Sequence, residues 1–253
     1  MKLGIMQPYF FPYIGYWQLL NAVDQYILAE DVNYIKGGYI NRNSILINGE
    51  SQYFRIPVLK QSQNRNINEH ELGFTEAEID KMLLTIRSAY AKAPNFERVY
   101  AHIKDVLDYG LTEEGKNLAS FLAHAIKSTA KMLGIDTPIM STSDLLSNTP
   151  FHETYSKEYY VVAICKALNA DEYYNAIGGT KLYYQKFFRD NGINLKFVKT
   201  NADISYEQFG HEFVPNLSII DVMMFCSQEQ IKELLNSYTL VDGYESPEDV
   251  GEE

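Results

Sequence analysis

The chain opens on a short unbroken apolar run, 3–6, that stops at Gln7-Pro8. A run of that length, bounded by proline, reads as a buried strand. An aromatic-proline loop follows, Tyr9-Phe10-Phe11-Pro12. Ile14, Trp17, Leu20 and Ala22 then recur at near-helical spacing and predict a helix over 14–23. Asp24 ends it, and 25–29 reads as a second strand. Strand, loop, helix and strand in such quick succession form a βαβ unit, which builds parallel sheet.

Two β-rich stretches, 44–48 and 52–59, flank Asn48-Gly49, a dipeptide whose tolerance of positive φ predicts a tight hairpin. After a polar loop over 61–70, Thr75 and Glu78 form a capping box that predicts a helix over 76–91. Two more helices are expected over 94–109 and 112–133, the second stopped by Gly134. Beyond lie a short strand at 138–140, a helix at 157–168 and a strand at 173–177 that runs into Gly178-Gly179. A helix at 182–190, a strand at 195–198 and helices at 217–226 and 228–237 complete the pattern. The alternation predicts an α/β fold with a mostly parallel, Rossmann-like sheet. It reads as a single domain over 1–253, with a helical insertion at about 76–133 and an acidic flexible tail over 243–253.

Charge narrows the function classes. The net charge is −11, so a dedicated nucleic-acid binder is not expected, because an acidic globule repels phosphate backbones. No stretch approaches the roughly 18 apolar residues of a membrane span, and the N-terminal apolar run is too short for a secretory signal. A cytoplasmic protein without membrane insertion is expected. The two cysteines, Cys165 and Cys226, sit in separate apolar stretches and read as buried thiols. They and the five scattered histidines have no metal-ligand spacing, so no metal is expected. Tyrosine is abundant, with 20 residues, and its apolar ring and polar tip suit half-buried pockets that grip polar, ring-bearing ligands.

In open α/β sheets ligands sit beyond the carboxyl ends of the strands, and three loops leave such ends. In the first, Tyr13-Ile14-Gly15-Tyr16 opens a helix whose free N–H groups can receive an anion, with Gly15 allowing close approach and both tyrosines lining a pocket behind Gln7. The second holds Asp31, Asn33, Lys36, Asn41, Arg42 and Asn43. Its two cations can clamp phosphate or carboxylate, and its amides can read sugar hydroxyls. Arg55 is expected to reach the same pocket. The third, Gly178-Gly179-Thr180-Lys181, can form a backbone nest with Thr180 capping the next helix. His152 and Asp31 are the candidate proton acceptors. No Walker loop, nucleophile elbow or dinucleotide fingerprint is present.

The opening Ile5-Met6-Gln7-Pro8-Tyr9-Phe10-Phe11-Pro12-Tyr13-Ile14-Gly15-Tyr16, the stretch Tyr34-Ile35-Lys36-Gly37-Gly38-Tyr39-Ile40-Asn41-Arg42-Asn43 and the late Phe213-Val214-Pro215-Asn216-Leu217-Ser218-Ile219-Ile220-Asp221 resemble the WbqC-like protein family. Gly37 stands where that family typically carries a basic or bulky residue. The resemblance implies a place in bacterial O-antigen or other surface-polysaccharide synthesis, with glycine transfer suggested for one branch. A second resemblance is to the nucleotidyltransferase-like α/β fold, in which a His-x-Gly-His motif occupies the place of Tyr13-Ile14-Gly15-Tyr16. Three functions follow as expectations. The first is transfer of an acyl or aminoacyl group, glycyl among them, to a sugar. In that reading Lys36 and Arg42 hold an anionic part, and Gln7, Asn41 and Asn43 orient the acceptor. The second is nucleotidyl or adenylyl transfer to a small carboxylate or sugar phosphate. The third is a non-catalytic binding subunit of a polysaccharide assembly complex. The expected ligand is a small molecule or sugar nucleotide. No cofactor is evident beyond a nucleotide or aminoacyl donor, and the sequence leaves the oligomeric state open.

Overall fold

A computed structural model describes residues 1–145, 158–210 and 212–251. Its main sheet has strands β1 (Lys2–Met6), β2 (Gln25–Leu28), β5 (Ile139–Ser141), β6 (Glu172–Ala176), β7 (Asn194–Thr200) and β8 (Tyr238–Val241). The spatial order is β5-β2-β1-β6-β7-β8. All neighbours are parallel except β7 and β8. Strands β3 (Arg42–Ile47) and β4 (Glu50–Arg55) form a separate antiparallel hairpin. The helices are α1 (Ile14–Asn21), α2 (Glu76–Tyr90), α3 (Phe96–Tyr109), α4 (Leu118–Leu133), α5 (Thr142–Leu145), α6 (Glu158–Ala167), α7 (Gln185–Asp190), α8 (Ile219–Phe225) and α9 (Gln228–Asn236). No helix among the described residues is long and apolar enough to cross a membrane.

The sheet buries both faces, as parallel strands must. Alternation along the strands assigns Leu3, Ile5 and Ile27 to one face, with α6 and α7. It assigns Tyr26 and Leu28 to the other face, with α1, α2–α4, α8 and α9. Gly4 lies opposite Tyr26 in the ladder, and a Cβ there would stand 2.7 Å from the Tyr26 ring. The β1–α1–β2 unit is tied down from below. Trp17 is fully buried and its indole N–H donates to the Pro12 carbonyl at 2.9 Å. Gln18 is also buried. It donates to the carbonyls of Leu234 and Ser237 and accepts from the Thr200 hydroxyl at 2.6 Å, linking α1, α9 and β7.

Local chemistry explains most boundaries. Asn48 and Gly49 both take positive φ, 54° and 80°, which closes the β3–β4 hairpin. The Thr75–Glu78 capping box starts α2, and Gly134, at φ 77°, ends α4. The expected helix over 112–133 begins only at Leu118. Asn117 caps it there, accepting from the backbone N–H groups of Ala119 and Ser120. The preceding turn needs Gly115, whose Cβ would overlap the Tyr109 carbonyl at 1.9 Å. The helix expected over 182–190 is shortened to α7, because 177–181 winds as a 3₁₀ turn. Thr180 caps no helix: its hydroxyl donates back to the Ile177 carbonyl within that turn. The edge strand β8 has no counterpart in the sequence reading; its middle residues are exposed and the strand is only four residues long. In the segment after β8, the carbonyls of Tyr244 and Glu245 accept from Gln185 and Lys186, and the Glu245 carboxylate pairs with Arg189.

A buried carboxylate joins the hairpin to the helices. Asp221, in α8, is fully buried and accepts from the hydroxyls of Tyr90 and Tyr206, each at 2.8 Å, and from the Gln208 amide at 2.6 Å. Tyr90 in turn accepts from the Leu46 backbone N–H at 2.8 Å. Burial pushes the Asp221 carboxyl above the usual carboxylate range, and these three donors oppose that shift. Asp221→Ala strips the acceptor from three donors and is expected to lower the unfolding free energy by about 3 kcal/mol or more. Urea unfolding measures this. A loss below about 1 kcal/mol would show that the donors find water instead.

Candidate functional site

The loops that leave β1, β2 and β6 converge on one cleft of about 560 Å³. It lies where the chain order reverses: β2 and β5 extend the sheet to one side of β1, and β6 adds on the other. In open α/β sheets such a switch point is where ligands bind. The floor is Ile5, Met6, Ala29 and Ala176, from the strand ends and the residue just past β2. Among the described residues six tyrosines form the walls: Tyr9, Tyr13, Tyr16, Tyr39, Tyr160 and Tyr183. Gln7 and Asn175 contribute amides, and Gly178 and Gly179 contribute backbone. None of the described residues that line the cleft carries a formal charge.

The first loop enters under strain. Phe11 has φ 40°, a left-handed conformation that is uncommon for a bulky residue. Its carbonyl is held by the Asn43 amide at 3.0 Å and the Ser218 hydroxyl at 2.7 Å. Phe10 and Phe11 are themselves buried in the core, and the Phe10 backbone N–H donates to the Tyr39 carbonyl at 3.1 Å. Beyond this turn Tyr13 stands at the N-cap of α1. Gly15 lies behind it, not in the cleft wall. A Cβ there would meet the Tyr13 ring at 2.5 Å and the Thr200 hydroxyl at 2.9 Å, so its smallness serves packing behind the wall.

The phenols are linked. Tyr16 is buried and donates to the Gln7 carbonyl at 3.2 Å, while Tyr9 reaches the Gln7 amide oxygen at 3.5 Å. The Tyr9 ring stands 5.7 Å from that of Tyr16 and 6.2 Å from that of Tyr39. Tyr160 donates to Asp31 Oδ1 at 2.7 Å, and the Thr142 hydroxyl donates to the same oxygen at 2.8 Å. Asn175 donates to the Tyr173 hydroxyl, and its Oδ1 lies 2.9 Å from where a Gly179 Cβ would stand. Burial pushes the Tyr9 phenol up to about 12. Burial also raises Tyr13, Tyr16 and Tyr183, and raises Tyr160 with the help of the adjacent Asp31. All five stay protonated at neutral pH.

Gln7, Tyr13, Tyr16, Gly178 and Gly179 thus share the cleft, and Asp31 touches it through Tyr160. The cationic group does not join them. Asn41, Arg42 and Arg55 line a second cavity on the other side of the 37–39 turn, over the hairpin and α2. Lys36 is exposed and lines neither cavity. Asn43 is buried and holds the first loop, as described above. His152 falls outside the described residues. Sequence reasoning missed Tyr9, Tyr39, Tyr160, Asn175 and Tyr183 as cleft residues. Asn175 had a signal: an amide among apolar and aromatic residues over 173–177, three residues before a Gly-Gly pair. Among the described residues no cluster of His, Cys, Asp or Glu could hold a metal ion.

Comparison with known proteins agrees with the motifs that frame this cleft. The WbqC-like protein family matches residues 7–233. The chain belongs to the WbqC-like protein family. A relative is the "Uncharacterized protein Rv1507c" of Mycobacterium tuberculosis (strain ATCC 25618 / H37Rv), 23% identical over 228 residues, 88% of this chain and 92% of that protein. No solved structure matches this WbqC-like chain.

The raised phenols give a pH signature. Tyr9 ionises near the ordinary value of about 10 when unfolded but at about 12 when folded. The folded state therefore holds more protons between these values, and stability falls as pH rises through them. Urea midpoints should be flat from about pH 7 to 9 and decline above about 10, with Tyr9→Phe removing part of the decline. Gly15→Ala should displace the Tyr13 ring and cost about 1–3 kcal/mol through overpacking, read as a lower Tm.

Proposed function

We propose that the WbqC-like cleft seats the sugar of a carbohydrate acceptor. In this reading the protein passes a small acyl or aminoacyl group, glycyl among the candidates, to that sugar's amino or hydroxyl group during synthesis of a bacterial surface polysaccharide such as O-antigen. The carrying observation is the lining: six phenols, two amides and no formal charge among the described residues. Aromatic rings cover the apolar faces of a sugar, while phenols and amides pair with its hydroxyls at little desolvation cost. Family membership supports the polysaccharide setting.

In the transfer, the bond from the acyl carbon to its leaving group breaks and an amide or ester bond to the sugar forms. The proton of the attacking N–H or O–H ends on the leaving group. Tyr160 keeps its proton and donates it in a hydrogen bond to Asp31, so toward the sugar its oxygen only accepts from, and thereby orients, that N–H or O–H. Asp31 acts as a positioning residue behind it. Gln7 and Asn175 orient the sugar. Nucleotidyl transfer fits less well, because phosphoryl chemistry relies on cations around the phosphates and none lines this cleft among the described residues.

The test offers purified protein a panel of nucleotide-linked amino sugars with glycine, with and without ATP, and with acyl thioesters, and reads product masses. A product heavier by one glycyl or acyl group is expected. Tyr9→Phe and Asn175→Ala should each lower kcat/KM about 3- to 10-fold through lost hydrogen bonds. Saturable sugar binding with no product would favour the non-catalytic subunit, and no sugar binding at all would end both readings.

A further inference from the structure

The second cavity, about 510 Å³, is the charge opposite of the cleft. Arg42 and Arg55 lie directly across from one another in the β3–β4 ladder. Both guanidiniums pack on the exposed ring of Tyr53, with Cζ at 4.2 Å and 5.3 Å from its centroid. Lys81 of α2 lines the same cavity. Arg42 is fixed, because its Nε and one terminal nitrogen donate to the carbonyls of Gly38 and Gly37. Among the described residues, neither Arg42, Arg55 nor Lys81 forms an ion pair. The one carboxylate among the described residues lining the cavity, Glu78, is turned to the start of α2, where it accepts from the Thr75 backbone N–H at 3.2 Å.

Like charges directly opposite on a hairpin destabilise it, and a protein of net charge −11 has ample carboxylate with which to neutralise them. Here the hairpin holds two guanidiniums on one aromatic platform with no ion-pair partner among the described residues, and α2 adds an ammonium to the same cavity. An anion entering the cavity relieves the repulsion and engages fork-shaped donors suited to phosphate oxygens. Three cations spread around a space this large exceed what one phosphate needs and match two linked phosphates. We propose that this cavity is a binding site for the diphosphate group of a small ligand. The site goes beyond the sugar-transfer reading and does not depend on it, because its test reads binding with no turnover.

Calorimetric titration of the full chain at low ionic strength would use inorganic pyrophosphate as the probe, with uridine diphosphate and farnesyl diphosphate as further arms. One-to-one pyrophosphate binding that weakens as salt is added is expected. Arg55→Gln and Lys81→Gln are both exposed-site changes, so the Tm should hold while affinity falls about tenfold or more in each. Tighter binding of the uridine compound would assign a nucleotide carrier, tighter binding of the farnesyl compound a lipid carrier, and equal binding the diphosphate alone. Absence of saturable pyrophosphate binding, or undiminished binding in the double variant, would overturn the proposal.

Discussion

The carbonyl of Phe11, gripped by Asn43 on one side and Ser218 on the other, holds the first loop in a backbone shape that it would otherwise leave. A left-handed phenylalanine costs on the order of 1–3 kcal/mol and persists only where its surroundings over-determine it. The two donors come from distant parts of the chain, β3 and the cap of α8, and both are buried. The turn they enforce sends Phe10 and Phe11 into the core and brings Tyr9 and Tyr13 to the cleft wall. Hairpin, α8 and first loop are therefore tied together at one carbonyl behind the cleft wall.

Much of this architecture is legible in the sequence because it is written in local chemistry. The proline after β1, the Asn48-Gly49 pair, the Thr75–Glu78 box and Gly134 each act within a few residues, so a linear reading finds them. What depends on distant partners is harder to see. Strand β8 is a short edge that only β7 makes into a strand. The late Ser218 and Asp221 lie in a motif that is recognisable by resemblance, but their role as anchors for β3, α2 and the first loop needs three dimensions.

The candidate site divides in the same way. All three strand-end loops named from the sequence contribute to one cleft, because the rule behind that expectation concerns topology and not side chains. The misplaced element is the cationic group. Tyr39 and Arg42 are three residues apart, yet the 37–39 turn sends one to the cleft and the other to the hairpin cavity. Composition reveals that tyrosines, amides and cations crowd these loops, but not on which side of a single turn each emerges. The separation leaves two neighbouring sites of contrasting character, one neutral and aromatic, one cationic.

A wall of protonated phenols also has a stereochemical consequence. Each hydroxyl proton can swing about its C–O bond, so the same tyrosine meets an acceptor in one occupant and a donor in another. Such a surface discriminates by contour, through ring size and bulk, far more than by the handedness of individual alcohols on its guest. Tyr16 and Tyr160 are exceptions, because the Gln7 carbonyl and the Asp31 carboxylate already hold their hydroxyl hydrogens, and at those points the guest can only donate.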